Sequence, residues 1–108
     1  MSDSAQPPVE VARLTDIPEG KTLCVEHDGR EVLLCHTRDG LYAVDNLCSH
    51  AEARLCEGRL RGGKILCPLH GAAFDVKTGE ALTRPAVLPL ATWRVIVEED
   101  RVLLTTET

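Results

Sequence analysis

The sequence predicts an all-β protein: an antiparallel sandwich or barrel carrying a small inserted β subdomain. Three observations point there. Apolar residues come in short runs divided by turn signals, and no stretch keeps a 3.6-residue period. Asp28-Gly29 lies between two such runs, the strongest short-range hairpin signal a sequence offers. After residue 45 the strand pattern is interrupted by two turn-rich segments, each bearing a cysteine followed closely by a histidine.

Taken in order, residues 1–8 are expected to be a frayed tail, with neither the basic start nor the apolar run of a signal peptide. Val9 to Leu14 alternates as an edge or half-buried strand does, and Ile17-Pro18-Glu19-Gly20 reads as a turn. Lys21 to His27 and Arg30 to His36 flank the Asp28-Gly29 turn, and Asp39-Gly40 turns the chain again before Leu41 to Val44. The first 45 residues are therefore expected to form a four-stranded meander. The insert runs from Asn46 to about Asp75. Inside it, Leu60 and Lys64 to Leu66 bracket Gly62-Gly63 as a small hairpin, and a short strand follows through Ala72 to Val76. Lys77 to Glu80 turns the chain, and Pro85 and Pro89 argue against a central strand in the next loop. Thr92 to Glu98 is expected to pair with Arg101 to Thr106 across Glu99-Asp100. The whole reads as one domain, 9–108, with a subdomain at about 46–75.

Composition narrows the function. A chain of 108 residues has room for one modest core, and Phe74, Trp93 and Tyr42 are its only aromatics, so Val, Leu, Ile and Ala must fill it. A formal charge of −5 argues against nucleic acid or an anionic membrane as partner and is compatible with transient docking on other proteins. No stretch reaches transmembrane length, so a cytoplasmic protein is expected, monomeric by default. No Ser/His/Asp or paired-carboxylate arrangement suggests hydrolysis. Five cysteines are an odd number, and no export signal is present, which weighs against a disulfide framework. Cys24 and Cys35 lie in apolar runs and read as small buried or strand residues; Cys56 reads as a space-filling loop residue; His27 and His36 read as ordinary surface or half-buried residues.

Two thiols and two imidazoles remain. Cys48-Ser49-His50 is followed by sixteen residues and then Cys67-Pro68-Leu69-His70. Each half-site offers one sulfur and one nitrogen from a short turn. Zinc accepts Cys₂His₂ sets, usually as a cysteine arm and a helical histidine arm; here the types are interleaved, and Pro68 and Gly71 oppose a helix. A [2Fe–2S] cluster with both thiolates on one iron and both imidazoles on the other suits the interleaved order better.

This C-x-H…C-x-x-H pattern, with the Pro-x-His-Gly turn, the Phe74-Asp75 pair and the Glu57-Gly58 step, resembles the Rieske family. The resemblance is strong from Asn46 to Pro89 and looser in the flanking strands. It implies a β-sandwich or barrel base with the cluster at the tip of the inserted subdomain. It also implies Cys48 and Cys67 on the inner iron, His50 and His70 on the outer one, and residues 85–89 as a loop covering the cluster. Gly58, Gly71 and Gly79 are expected to serve backbone geometry. High-potential relatives carry a loop disulfide and two hydroxyls that donate to sulfur. The matching positions here are Ala53 and Leu69, and Ala72 and Phe74, so a potential near the bottom of the Rieske range is expected.

Such a domain resembles the ferredoxin component of a bacterial aromatic-ring-hydroxylating dioxygenase. That implies an electron carrier, not an enzyme, whose partners are a flavin-dependent NAD(P)H reductase and a terminal Rieske oxygenase. A nitrite-reductase small subunit and a zinc-stabilised protein-binding module remain alternatives. The loop charges Glu52, Arg54, Glu57, Arg59 and Arg61 alternate in sign, as a solvated face does, and some are expected to orient a partner.

Overall fold

A computed structural model describes residues 7–48, 53–68, 71–83 and 88–105. Among these residues it holds ten strands in three antiparallel sheets and two single-turn 3₁₀ segments; no helix is long and apolar enough to cross a membrane.

The four-stranded sheet is the middle layer. Its strands are β2 (Thr22–His27), β3 (Arg30–Thr37), β4 (Gly40–Asp45) and β8 (Thr92–Trp93), in the order β2-β3-β4-β8. Asp28 and Gly29 both have positive φ (56° and 80°), and His27 pairs with Arg30, as a two-residue hairpin of the primed type requires. The next hairpin turns on Arg38-Asp39, one residue earlier than expected, because Gly40 (φ 146°) already pairs with Thr37. β3 carries the uninterrupted run Val32-Leu33-Leu34-Cys35, all fully buried. Alternate side chains leave a strand on opposite faces, so a run without polar breaks needs cover on both sides. Val32 and Leu34 join Ile17, Ala43, Val102 and Leu104 on one face. Leu33 and Cys35 join Val44, Ile65 and Phe74 on the other.

The first cover is a second sheet, β1 (Val9–Arg13), β10 (Arg101–Leu104) and β9 (Val95–Glu98), in the order β1-β10-β9. This corrects the expected four-stranded meander, since β1 pairs with β10 and leaves β2 at the edge of the other sheet. A corner separates them. Leu14–Asp16 forms a 3₁₀ turn and Ile17 drops, fully buried, between the sheets. The Asp100 carboxylate holds that corner, accepting from Arg13 Nε (2.9 Å) and the Thr15 N–H (3.2 Å). The closing hairpin is corrected too. Thr92–Trp93 pairs with β4, and only Val95–Glu98 pairs with β10, so the chain changes sheets at Arg94. Strands that switch sheets at a corner close a sandwich without a separate connection.

The second cover is the insert. β5 (Arg59–Arg61), β6 (Lys64–Leu66) and β7 (Ala73–Asp75) form the third sheet, with Gly62-Gly63 turning the β5–β6 hairpin as expected. His27 departs from its expected surface or half-buried position. It is buried at the end of β2, while His36 is half-buried with Nδ1 2.6 Å from the Ile17 carbonyl.

Candidate metal centre

The two cysteine-bearing loops have the same closure. The Cys48 N–H donates to the Ala53 carbonyl (2.9 Å), and the next pair outward, Leu47 and Arg54, forms an antiparallel bridge. The Cys67 N–H donates to the Ala72 carbonyl (2.7 Å), and the next pair outward, Leu66 and Ala73, belongs to the β6–β7 ladder. Each loop thus leaves its strand at a cysteine and returns at an alanine five residues on. Cys48 and Cys67 are only 6% and 3% exposed and share one apolar cluster with Ala53, Ala72, Phe74 and Leu90. Small alanines stand at both return points, and both thiols lie in a dry setting. Thiolates in such surroundings are costly unless a cation neutralises them, so this donor set fits a metal centre.

The first loop lacks a long ladder and is braced by polar contacts instead. Fully buried Asn46 donates its N–H to the Glu31 carbonyl (3.1 Å) and accepts the Leu55 N–H at its own carbonyl (2.6 Å). Its amide nitrogen donates to Glu31 Oε1 (3.0 Å) and Cys56 Sγ (3.5 Å), and its Oδ1 accepts the Cys56 N–H (2.8 Å). On the far side of the loop, Arg54 grips both oxygens of Glu31 (3.1 Å each). Asn46 and Arg54 hold the Glu31 carboxyl below its usual range, in that order of influence. Arg54 is therefore a brace for the loop, committed to Glu31. Sequence inspection placed Asn46 only as a boundary, because nothing local marks an asparagine that will be buried.

The other thiols differ. Cys24, Cys35 and Cys56 lie outside any disulfide. Cys56 sits half-buried on its 3₁₀ turn under the Asn46 amide, as a space-filling residue does. Burial, with Cys56 and Glu31 nearby, pushes the Cys24 thiol up; burial alone pushes Cys35 up to about 12. At pH 8 roughly one Cys35 thiol in ten thousand is ionised. Native protein treated with iodoacetamide at pH 8 will leave Cys35 unmodified by peptide mass spectrometry, and denatured protein will carry the label there.

Residues 7–94 match the model of the Rieske [2Fe-2S] domain. The chain belongs to the Rieske [2Fe-2S] domain family. Within that family the Rieske chain is 43% identical over 99 residues to the ferredoxin component of the naphthalene 1,2-dioxygenase/salicylate 5-hydroxylase systems of a Ralstonia species, covering 92% of this chain and 95% of the relative. Among solved structures it is similar to the ferredoxin of carbazole 1,9a-dioxygenase from Nocardioides aromaticivorans IC177, at 40% identity and a TM-score of 0.87, covering 92% of this chain and 97% of that one. It is also similar, at 34% identity and a TM-score of 0.86, to a chain of the complex of reduced oxygenase and oxidised ferredoxin in carbazole 1,9a-dioxygenase, covering 93% and 94% of the two chains. Of the four expected ligand positions, the structure brings Cys48 and Cys67 into one cluster; His50 and His70 lie outside the described residues, as do Glu52, Leu69 and residues 85–87 of the expected covering loop. Leu88 of that loop is described and exposed.

Proposed function

We propose that this chain is a Rieske ferredoxin that carries single electrons from an NAD(P)H-dependent flavin reductase to the terminal oxygenase of an aromatic-ring-hydroxylating system. It is a carrier and not itself the oxygenating enzyme. The observation that carries the reading is the matched closure of two loops that set Cys48 and Cys67 in one dry cluster. In this reading Cys48 and Cys67 bind one iron as thiolates, and His50 and His70 bind the other as neutral imidazoles.

When bound, the [2Fe–2S] cluster supplies one-electron chemistry, at a potential of about −150 to +300 mV because two imidazoles replace two thiolates. The chain's residues set where in that range it works. Ala53 and Leu69 can form no disulfide across the loops. Ala72 and Phe74, both fully buried beside the thiols' cluster, have no hydroxyl to donate to a ligand sulfur. Fewer donors leave added negative charge less stabilised, which puts the potential at the low end. Ala72→Ser and Phe74→Tyr each add such a donor. A net hydrogen bond of about 0.5–1.5 kcal/mol corresponds to about 20–60 mV for a one-electron couple. Each variant is expected to raise the midpoint by that amount in a redox titration.

The test of the function is an EPR spectrum of the dithionite-reduced protein with a redox titration, followed by reconstitution with a reductase and an oxygenase. A rhombic signal at low average g, a low potential and restored hydroxylation support the proposal. A colourless protein with stoichiometric zinc overturns it.

A further inference from the structure

The protein is acidic overall, yet its cations are not evenly used. Arg13, Arg30, Arg54 and Arg101 are bound to Asp100, Asp45, Glu31 and Glu10, respectively. Besides Lys77 and Arg94, which line a separate groove, Lys21, Arg38, Arg59, Arg61 and Lys64 form no ion pair among the described residues, and all five are exposed. They also lie together. Lys21 shares one groove with Gly58, Arg59 and Arg61. Arg38 and Asp39 line a second with Gly62 and Gly63, the turn that joins Arg61 to Lys64. Arg59 continues into a third, walled by Glu57, Leu66, Cys67, Pro68 and Gly71. The three grooves form a basic flank that begins at the second cysteine loop and runs down the insert onto the turns of the middle sheet.

Strand geometry makes the flank single-sided. Leu60 and Ile65 point into the core, so Arg59 and Arg61 on β5 and Lys64 on β6 point away from it. Three carboxylates border the flank, Glu57 in the groove with Arg59, Asp75 across from Lys64 in the β6–β7 ladder and Asp39 beside Arg38, so its five cations outnumber them. Glu57 lies 3.9 Å from Arg54, and Asp75 Oδ1 accepts the N–H groups of Lys77 and Thr78.

We propose that this flank is a docking surface for a carboxylate-rich rim on the terminal oxygenase, so placed that attraction brings the partner to the Cys67 loop. The proposal rests on the electron-carrier reading. Unpaired charge next to an electron-exit point steers encounter even when net charge opposes it, because screening over about 10 Å at 0.1 M salt makes the local field count most. It also separates this face from the Glu31–Arg54 side, whose charges are already satisfied.

Local field and net charge predict opposite salt effects. The reduced holo-protein is mixed in stopped flow with ferricyanide, a trianion, or tris(phenanthroline)cobalt(III), a trication, from low to high salt. A net −5 surface repels ferricyanide, and the rate then rises with salt; a basic flank makes it fall, by about tenfold or more. The triple variant Arg59→Glu/Arg61→Glu/Lys64→Glu is expected to keep its visible absorbance and to reverse both slopes, with Lys64→Glu alone shifting each in the same direction. Transfer to the oxygenase of the carbazole 1,9a-dioxygenase system is then measured: the wild type slows with salt, and the triple variant is at least tenfold slower at low salt. A ferricyanide rate that rises with salt overturns the proposal. So does wild-type transfer to the oxygenase that is absent or matched by the variant. If no oxidant bleaches the protein at all, the electron-carrier reading falls first.

Discussion

Cys67→Ala is expected to yield a protein without visible absorbance and without bound iron. Cys48→Ala should do the same. The substitution removes few atoms, and the packing cost of losing one sulfur is on the order of 1 kcal/mol, too little to unfold most domains. The loss of colour therefore reports ligation. In the proposed arrangement each thiolate is half of one iron's protein ligand set, and metal binding free energy is also folding free energy. Lower thermal stability should accompany the colour loss, by more than the sulfur's packing alone explains. Cys56→Ala is the matched comparison, since it touches the same cluster but donates to nothing proposed for the metal. It should keep full colour. His50→Ala and His70→Ala test the imidazole half of the same assignment and should also abolish the assembled cluster. Iron and sulfide content measured beside the visible spectrum decides each case, and a coloured, reversibly reducible Cys67→Ala protein would show that the assignment is wrong.

Gly58→Ala should be nearly as damaging without touching a ligand. A Cβ on Gly58 would stand 1.8 Å from the Leu66 carbonyl oxygen and 3.3 Å from that of Leu55. Both obstacles are backbone, which cannot swing aside as a side chain can. Leu66 directly precedes Cys67, so displacing its carbonyl moves the root of the second loop. Overpacking against side chains costs about 1–3 kcal/mol, and a backbone clash this close belongs at or above the top of that range. The expected result is a drop of about 3 kcal/mol or more in unfolding free energy and a cluster that bleaches faster in air. Gly63→Ala, a few residues away, meets nothing within 4 Å and should fall within about 0.5 kcal/mol of wild type. Chemical denaturation of the two variants side by side separates a steric demand at Gly58 from a general dislike of alanine in the insert.

The residues proposed to bear chemistry stand out in the chain because their signals are local. A cysteine and a histidine within one turn, repeated after a fixed gap, carry their meaning at any place in a fold. Asp28-Gly29 and Gly62-Gly63 are local in the same sense, since positive φ at a hairpin turn is a property of the turn itself. The apolar run Val32 to Cys35 has no polar break and so needs cover on both faces, and the structure buries all four residues.

Partner choice was not readable. Val9 to Leu14 looks like a strand whichever neighbour it takes, and only the buried corner at Ile17, pinned by Asp100, sends β1 to β10. Thr92 to Glu98 looks like one strand and serves two sheets. The Asn46–Glu31–Arg54 brace joins residues from β3 and both ends of the first loop, and the basic flank gathers five cations from two turns and two strands. Sequence alone determined the all-β class, the Asp28-Gly29 and Gly62-Gly63 turns and the four positions proposed to hold the cluster, because short-range sterics and ligand chemistry act over a few residues. Tertiary structure decided the sheet partners, the bracing of the loops and the gathering of exposed cations on one flank, because those depend on pairings between segments far apart in the chain.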